Sequence, residues 1–223
     1  MSLLDGLAPT AARTLPVILL LDTSGSMRED NKIDVLNDAV TEMIDELAEV
    51  DAGHGYITIS ILTFGGSSAQ AIVEHTPVGE VEFSSLTARG KTPLGDGFRL
   101  ARSIIEDKDA LPSRAYRPTI ALVSDGLPTD HNWAEELDAL LASDRGQKST
   151  KFALAVGADA DRDMLARFSG SQVHTADQAT EIRRFLQFVT NTVTNVTLTA
   201  FDTVEDDADS AASIVRLQGD DAF

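Results

Sequence analysis

LPVILLLDTSGS, residues 15–26, is an apolar run that stops at Asp22 and continues with serines at alternate positions, Ser24 and Ser26. A short β-branched and leucine-rich run of this kind reads as a buried strand. In open α/β sheets ligands bind beyond the carboxyl ends of the strands, and Asp22, Ser24 and Ser26 fall where the apolar run ends. The segment therefore predicts a buried strand that delivers oxygen ligands.

Two further segments supply the same chemistry. Residues 118–124, PTIALVS, form a second apolar run that ends in Asp125-Gly126, and residues 90–95, GKTPLG, form a loop that leads into an amphipathic segment. Asp22, Ser24, Ser26, Thr92 and Asp125 together offer hydroxyl and carboxylate oxygens from three separated loops. Such a set suits a hard divalent cation, Mg²⁺ first, with Mn²⁺ or Ca²⁺ as other candidates. Mg²⁺ favours octahedral oxygen coordination, keeps several waters and takes one or two carboxylates.

The succession DTSGS, TPLGDGF and SDGLPTD resembles the metal-ion-dependent adhesion site of von Willebrand factor A domains over about residues 15–194. Within that family the phrases TPLGDGFR and SDGLPTD are similar to bacterial TerY-type proteins of tellurite-resistance operons. The resemblance implies a metal-dependent protein-binding module in which a partner's Asp or Glu completes the coordination of the ion. It also implies a place in a bacterial stress-response system beside a protein kinase and a metal-dependent protein phosphatase. Ser24, Ser26 and Thr92 would be neutral ligands, with Asp22 and Asp125 bound directly or through water.

Composition bounds these readings. The chain has 223 residues, a net charge of −18 and no cysteine, which excludes disulfides and thiolate metal sites. A chain so acidic, with no basic stripe, is not expected to bind nucleic acid, and its partner surface should be neutral or basic. The start MSLLDGLAPTAARTLP has neither a basic region nor an apolar stretch of signal-peptide kind, and no run approaches the roughly twenty apolar residues of a membrane span. A cytoplasmic protein is the expectation.

Strands and helices alternate as in a doubly wound α/β sheet of Rossmann-like type. Strands are expected at 15–22, 56–64, 71–76, 119–124, 152–157 and 172–174, and helices at 32–50, 95–111, 133–143, 161–168 and 177–193. Residues 56–64 and 71–76 lie close enough for a hairpin through Gly65-Gly66, giving a mostly parallel sheet with one antiparallel edge strand and helices on both faces. The expected division is an N-terminal arm at 1–14, the domain at 15–195 and an acidic extension at 196–223. That extension begins with the strand-like alternation VTLTAF, residues 196–201.

Plainer roles compete at several positions. Thr92-Pro93 has the form of an N-cap and first helical residue. Asp159, Asp161 and Asp163 alternate like a calcium loop, but Met164 and Gly170 stand where that loop needs Gly and Glu, so helix-start carboxylates explain them better. Glu29 and Asp30 have the spacing of an adjacent second cation site in integrin β chains and read more simply as a solvated loop. Trp133 reads as a packing residue, and the four histidines lie in unrelated segments.

No catalytic signature stands up. Asp22 and Ser26 flank Ser24 where a nucleophile elbow needs glycines, and no P-loop string occurs. The aspartyl-phosphate layout needs a second Asp two residues after Asp22, and Ser24 occupies that place. The chain is therefore not expected to be an enzyme. Three other classes stay open: a Mg²⁺-dependent phosphohydrolase, a metal-independent scaffold, and an adaptor subunit of a chelatase-type ATPase. Phosphoester turnover, partner binding in chelator and an ATPase partner respectively mark them.

Overall fold

Strand β1 (Leu15–Asp22) is buried at every position because it has neighbours on both edges and helices on both faces. The computed structural model describes residues 13–52, 54, 56–170 and 173–198. On one edge β1 pairs in parallel with β2 (Ile57–Gly65), Leu15 opposite Ile57 and Asp22 opposite Phe64. On the other it pairs in parallel with β4 (Thr119–Ser124), Val17 opposite Thr119 and Leu21 opposite Val123. The six strands run in the order β3-β2-β1-β4-β5-β6, where β3 is Ser68–Pro77, β5 is Thr150–Val156 and β6 is Val173–Ala176. Only the β2/β3 pair is antiparallel, a hairpin turned through Gly66 at φ 75°, and β3 is the edge strand.

That order makes β1 the point of divergence. The chain first winds from β1 through β2 to the β3 edge and then returns to lay β4 on the other side of β1. The loops after β1 and β4 consequently leave in opposite directions and open a crevice between the two strand ends. Side-chain alternation divides the core into two layers. Val17, Leu19 and Leu21 face Leu36, Val40 and Leu47 of α1 (Lys32–Asp51) and Ile182, Leu186 and Val189 of α5, residues 180–198. Ile18 and Leu20 face Phe98 and Ile105 of α2 (Leu94–Glu106), Leu137 of α3 (Trp133–Ala142) and Phe168 of α4 (Arg162–Ser169).

Two expectations are corrected. The helix expected at 95–111 stops at Glu106, because the Asp107 carboxylate accepts from Asp109 N and Ala110 N and turns the chain. Leu111 is still buried, its carbonyl held by the Arg145 guanidinium, which also donates to the Ile105 carbonyl. Residues 196–198 are helical and continue α5; they do not start a strand. Val193 and Thr197 stack four apart on its buried side, and Thr197 Oγ1 donates to Val193 O at 3.0 Å, so the hydroxyl is satisfied helically. Residues 199–201 of that alternation, the rest of the acidic extension and residues 1–12 of the arm lie outside the described residues.

Candidate metal centre

Asp22 is the last residue of β1 and is fully buried, so its position follows from the strand it ends. Its Oδ1 accepts from Ser24 N at 2.8 Å, which bends the chain sharply after the strand. Its Oδ2 accepts from Ser124 Oγ at 2.8 Å, tying the end of β1 to the end of β4. One residue on, Asp125 Oδ1 accepts from Ser26 Oγ at 2.7 Å, and the Ser24 and Ser26 hydroxyls lie 3.0 Å apart. Asp125 Oδ2 accepts from Lys32 Nζ at 2.9 Å. Four of the five expected site residues thus form one hydrogen-bonded set.

Thr92 joins them through backbone packing. Gly25 N donates to Gly90 O at 3.0 Å, Arg89 N to Thr23 O at 2.7 Å, and Gly66 N to Arg89 O at 2.7 Å, so residues 88–92 are laced to the loop after β1. Thr92 is buried, and a Cβ built on Gly126, next to Asp125, would lie 3.9 Å from Thr92 Oγ1.

The competing cap reading of Thr92 is corrected. Pro93, not Thr92, is the N-cap residue of α2, and it makes no side-chain cap bond. Asp130 does the capping from the loop after β4, its Oδ2 accepting from Asp96 N at 3.1 Å, while a Cβ on Gly95 would lie 2.6 Å from that oxygen. Thr92 is instead held by a reciprocal pair with Thr129: Thr92 N donates to Thr129 Oγ1, and Thr129 N to Thr92 O. Thr92→Ser, which keeps a hydroxyl but loses the buried methyl group, is therefore expected to cost about as much metal-free stability as Thr92→Ala, about 1 kcal/mol, and Asp130→Ala to cost about 1 kcal/mol through the lost cap. Urea unfolding in chelator checks this; a Thr92→Ser variant as stable as the wild type beside a destabilised Thr92→Ala would restore a capping role to Thr92.

Electrostatics at the centre are poised for a cation. Burial pushes the Asp22 carboxyl up to about 6, and the neighbouring charge of Asp125 adds to the rise, against hydrogen bonds from Ser24 and Ser124. Two buried carboxylates in one crevice repel each other, and a divalent ion bound there would offset both costs. The donors fit a hard ion: they are all oxygen, with hydroxyls outnumbering carboxylates. No group of three or more His, Cys, Asp or Glu suited to a metal occurs among the described residues, so a carboxylate cage or imidazole site is not an alternative there.

The other sequence candidates stay apart from the centre. Glu29 and Asp30 are exposed. Asp161 caps α4, accepting from Met164 N at 3.0 Å, as a helix-start carboxylate should. Trp133 packs on the second core layer. His54 stacks on Tyr56, and His174 packs against Phe185 and Phe188. A groove of about 300 Å³ between β2, β3 and residues 82–89 borders the lacing through Thr23 and Arg89 but contains none of the five candidate ligand residues.

Sequence reasoning did not find Ser124, Lys32, Thr129 or Asp130. Ser124 had a usable signal, since it is the polar residue that closes an apolar strand just before Asp125. Lys32 had a fainter one: a cation in the first turn of a helix opposes the helix dipole and calls for an anionic partner.

A doubly wound α/β domain with an oxygen-rich crevice at its topological switch point is the class that this fold and centre define. Residues 17–127 match the sequence model of the von Willebrand factor type A domain, and the chain carries a domain of that family. Among solved structures, the pilus adhesin SpaC from Lactobacillus rhamnosus GG superposes with a TM-score of 0.67 at 13% identity, over 82% of this chain and 31% of that one. A von Willebrand factor type A protein from Catenulispora acidiphila gives 0.61 at 17% identity, over 82% and 43%. Proximal thread matrix protein 1 from the mussel byssus, with a zinc-occupied MIDAS motif, gives 0.60 at 16% identity, over 84% and 46%. This chain spans less than half the length of each of these three. No curated protein matches it in sequence. No helix among the described residues is long and apolar enough to cross a membrane.

Proposed function

We propose that this chain is a metal-dependent protein-binding module whose ion is held by Asp22, Ser24, Ser26, Thr92 and Asp125. The observation that carries this reading is the bonded set at the switch point, in which Ser26 Oγ meets Asp125 Oδ1 at 2.7 Å and Ser24 N and Ser124 Oγ both meet Asp22. Bound there, Mg²⁺ supplies an electrophilic position that a carboxylate from another protein can fill. The chain's own part is to orient neutral hydroxyls toward the ion and to limit its direct anionic ligands. The loops around Gly90 and Gly126 set which partner fits.

The zinc-occupied MIDAS of the mussel protein supports divalent binding at this place in the fold. The phrases TPLGDGF and SDGLPTD support an adaptor role in a bacterial tellurite-resistance or stress-response system, in the cytoplasm, with a protein kinase or phosphatase as partner. A binding role rather than catalysis is supported by the sequence, which carries neither a nucleophile elbow around Ser24 nor a P-loop string. Mg²⁺ or Mn²⁺ at millimolar concentration is expected to raise the melting temperature by mass action, since only the folded chain gathers the three loops. A pull-down from cells should capture a partner in Mg²⁺ and lose it in EDTA and with Asp125→Ala. A flat calorimetric titration, or a partner retained under both treatments, ends the proposal.

A further inference from the structure

Lys32 is held where a lysine is least expected. It opens α1, where the helix dipole presents its positive end and disfavours an ammonium group. The two residues before it, Asp30 and Asn31, both take left-handed backbone at φ 53° and 57°, a strained turn for residues with side chains. The side chain is only 13% exposed, and its Nζ reaches the fully buried Asp125 carboxylate at 2.9 Å. On its far side it closes against the loop after β5, where a Cβ on Gly157 would lie 3.8 Å from Nζ. Strain, dipole and burial all oppose this placement, and Asp125 is what it gains.

We propose that Lys32 is a tethered cation that weakens binding of the metal alone and so makes firm metal binding depend on the partner's carboxylate. This rests on the metal-binding reading above. With Asp22 and Asp125 ionised, the ammonium leaves the protein side of the centre one negative charge, too little to neutralise a divalent ion. A partner's carboxylate supplies the missing charge. Without Lys32 the two aspartates alone would balance the ion, and the incoming carboxylate would gain less. Lys32 also engages one oxygen of Asp125, which restricts that residue's approach to the ion.

Mn²⁺ binding to the full chain, measured by calorimetry, tests this. Lys32→Met is expected to bind Mn²⁺ alone at least tenfold more tightly than the wild type, with a larger metal-induced rise in melting temperature, and Lys32→Arg to stay within about threefold of it. A purely structural ion pair predicts the opposite for Lys32→Met, because losing it would loosen Asp125 and weaken binding. An unchanged or weaker Kd in Lys32→Met overturns the inference while leaving the metal centre standing. No Mn²⁺ binding by any of the three proteins overturns both. If Lys32→Met fails to fold, the wild type decides: the Lys32 ζ-nitrogen NMR resonance should shift as Mg²⁺ saturates the centre, and a resonance unmoved at saturation overturns the inference.

Discussion

Asp22→Asn is expected to stabilise the metal-free protein near neutral pH and to abolish its response to divalent ions. The wild-type carboxyl is raised from 3.8 to about 6 in the folded state, chiefly by burial. As pH rises, the unfolded chain therefore loses this proton first, and stability falls between about pH 4 and pH 6 by about 3 kcal/mol before levelling off. Asparagine carries no charge to desolvate and keeps an acceptor for Ser24 N. Its amide must face the buried Ser124 hydroxyl, whose proton loses its carboxylate acceptor at a cost of about 1 kcal/mol. A net gain of about 1–2 kcal/mol at pH 7.5 follows, with no gain below pH 4. Denaturant unfolding in EDTA at both pH values measures it, and a variant less stable than the wild type at pH 7.5 refutes the argument. In Mg²⁺ the order should reverse, because only the wild type presents two carboxylates to the ion.

Gly65→Ala is expected to cost about 2–4 kcal/mol and to lower the melting temperature by roughly 5–10 °C. A Cβ at that position would lie 2.3 Å from Thr23 Oγ1 and 2.4 Å from Thr23 O. Thr23 cannot retreat cheaply, since its N donates to Phe64 O at 3.0 Å and its O accepts from Arg89 N at 2.7 Å. The loop after β1 must shift, carrying Ser24 and Ser26 away from Asp125, so metal affinity should fall with stability. Gly79→Ala is the control, because a Cβ there meets nothing within 4 Å. Equal melting temperatures for the two variants would show that the lacing around Thr23 tolerates a methyl group.

Much of the layout was legible along the chain because periodicity is local. The run Val17–Leu21 is apolar at every residue and proved to be the central strand, flanked and covered on all sides. The hairpin at Gly65-Gly66 was legible from spacing. Residues 196–198 were misread because V-T-L-T satisfies a period of two, and only the α5 ladder, with Thr197 reaching back to Val193, favours the helix. The end of α2 was missed because a local carboxylate turn at Asp107 overrides a helical pattern that continues past it.

By itself the sequence determined which residues bring oxygen to strand ends, since an Asp that closes an apolar run has one place to go in an α/β sheet. It also excluded thiolate chemistry, because the chain has no cysteine. Tertiary structure alone decided that β4 lies beside β1, so that Ser124 reaches Asp22 and Asp125 reaches Ser26 across roughly a hundred residues of chain. It alone brought Lys32 onto Asp125 and gave the capping of α2 to Asp130 rather than Thr92. Strand order and long-range pairing depend on how whole faces pack, and no local pattern carries that information.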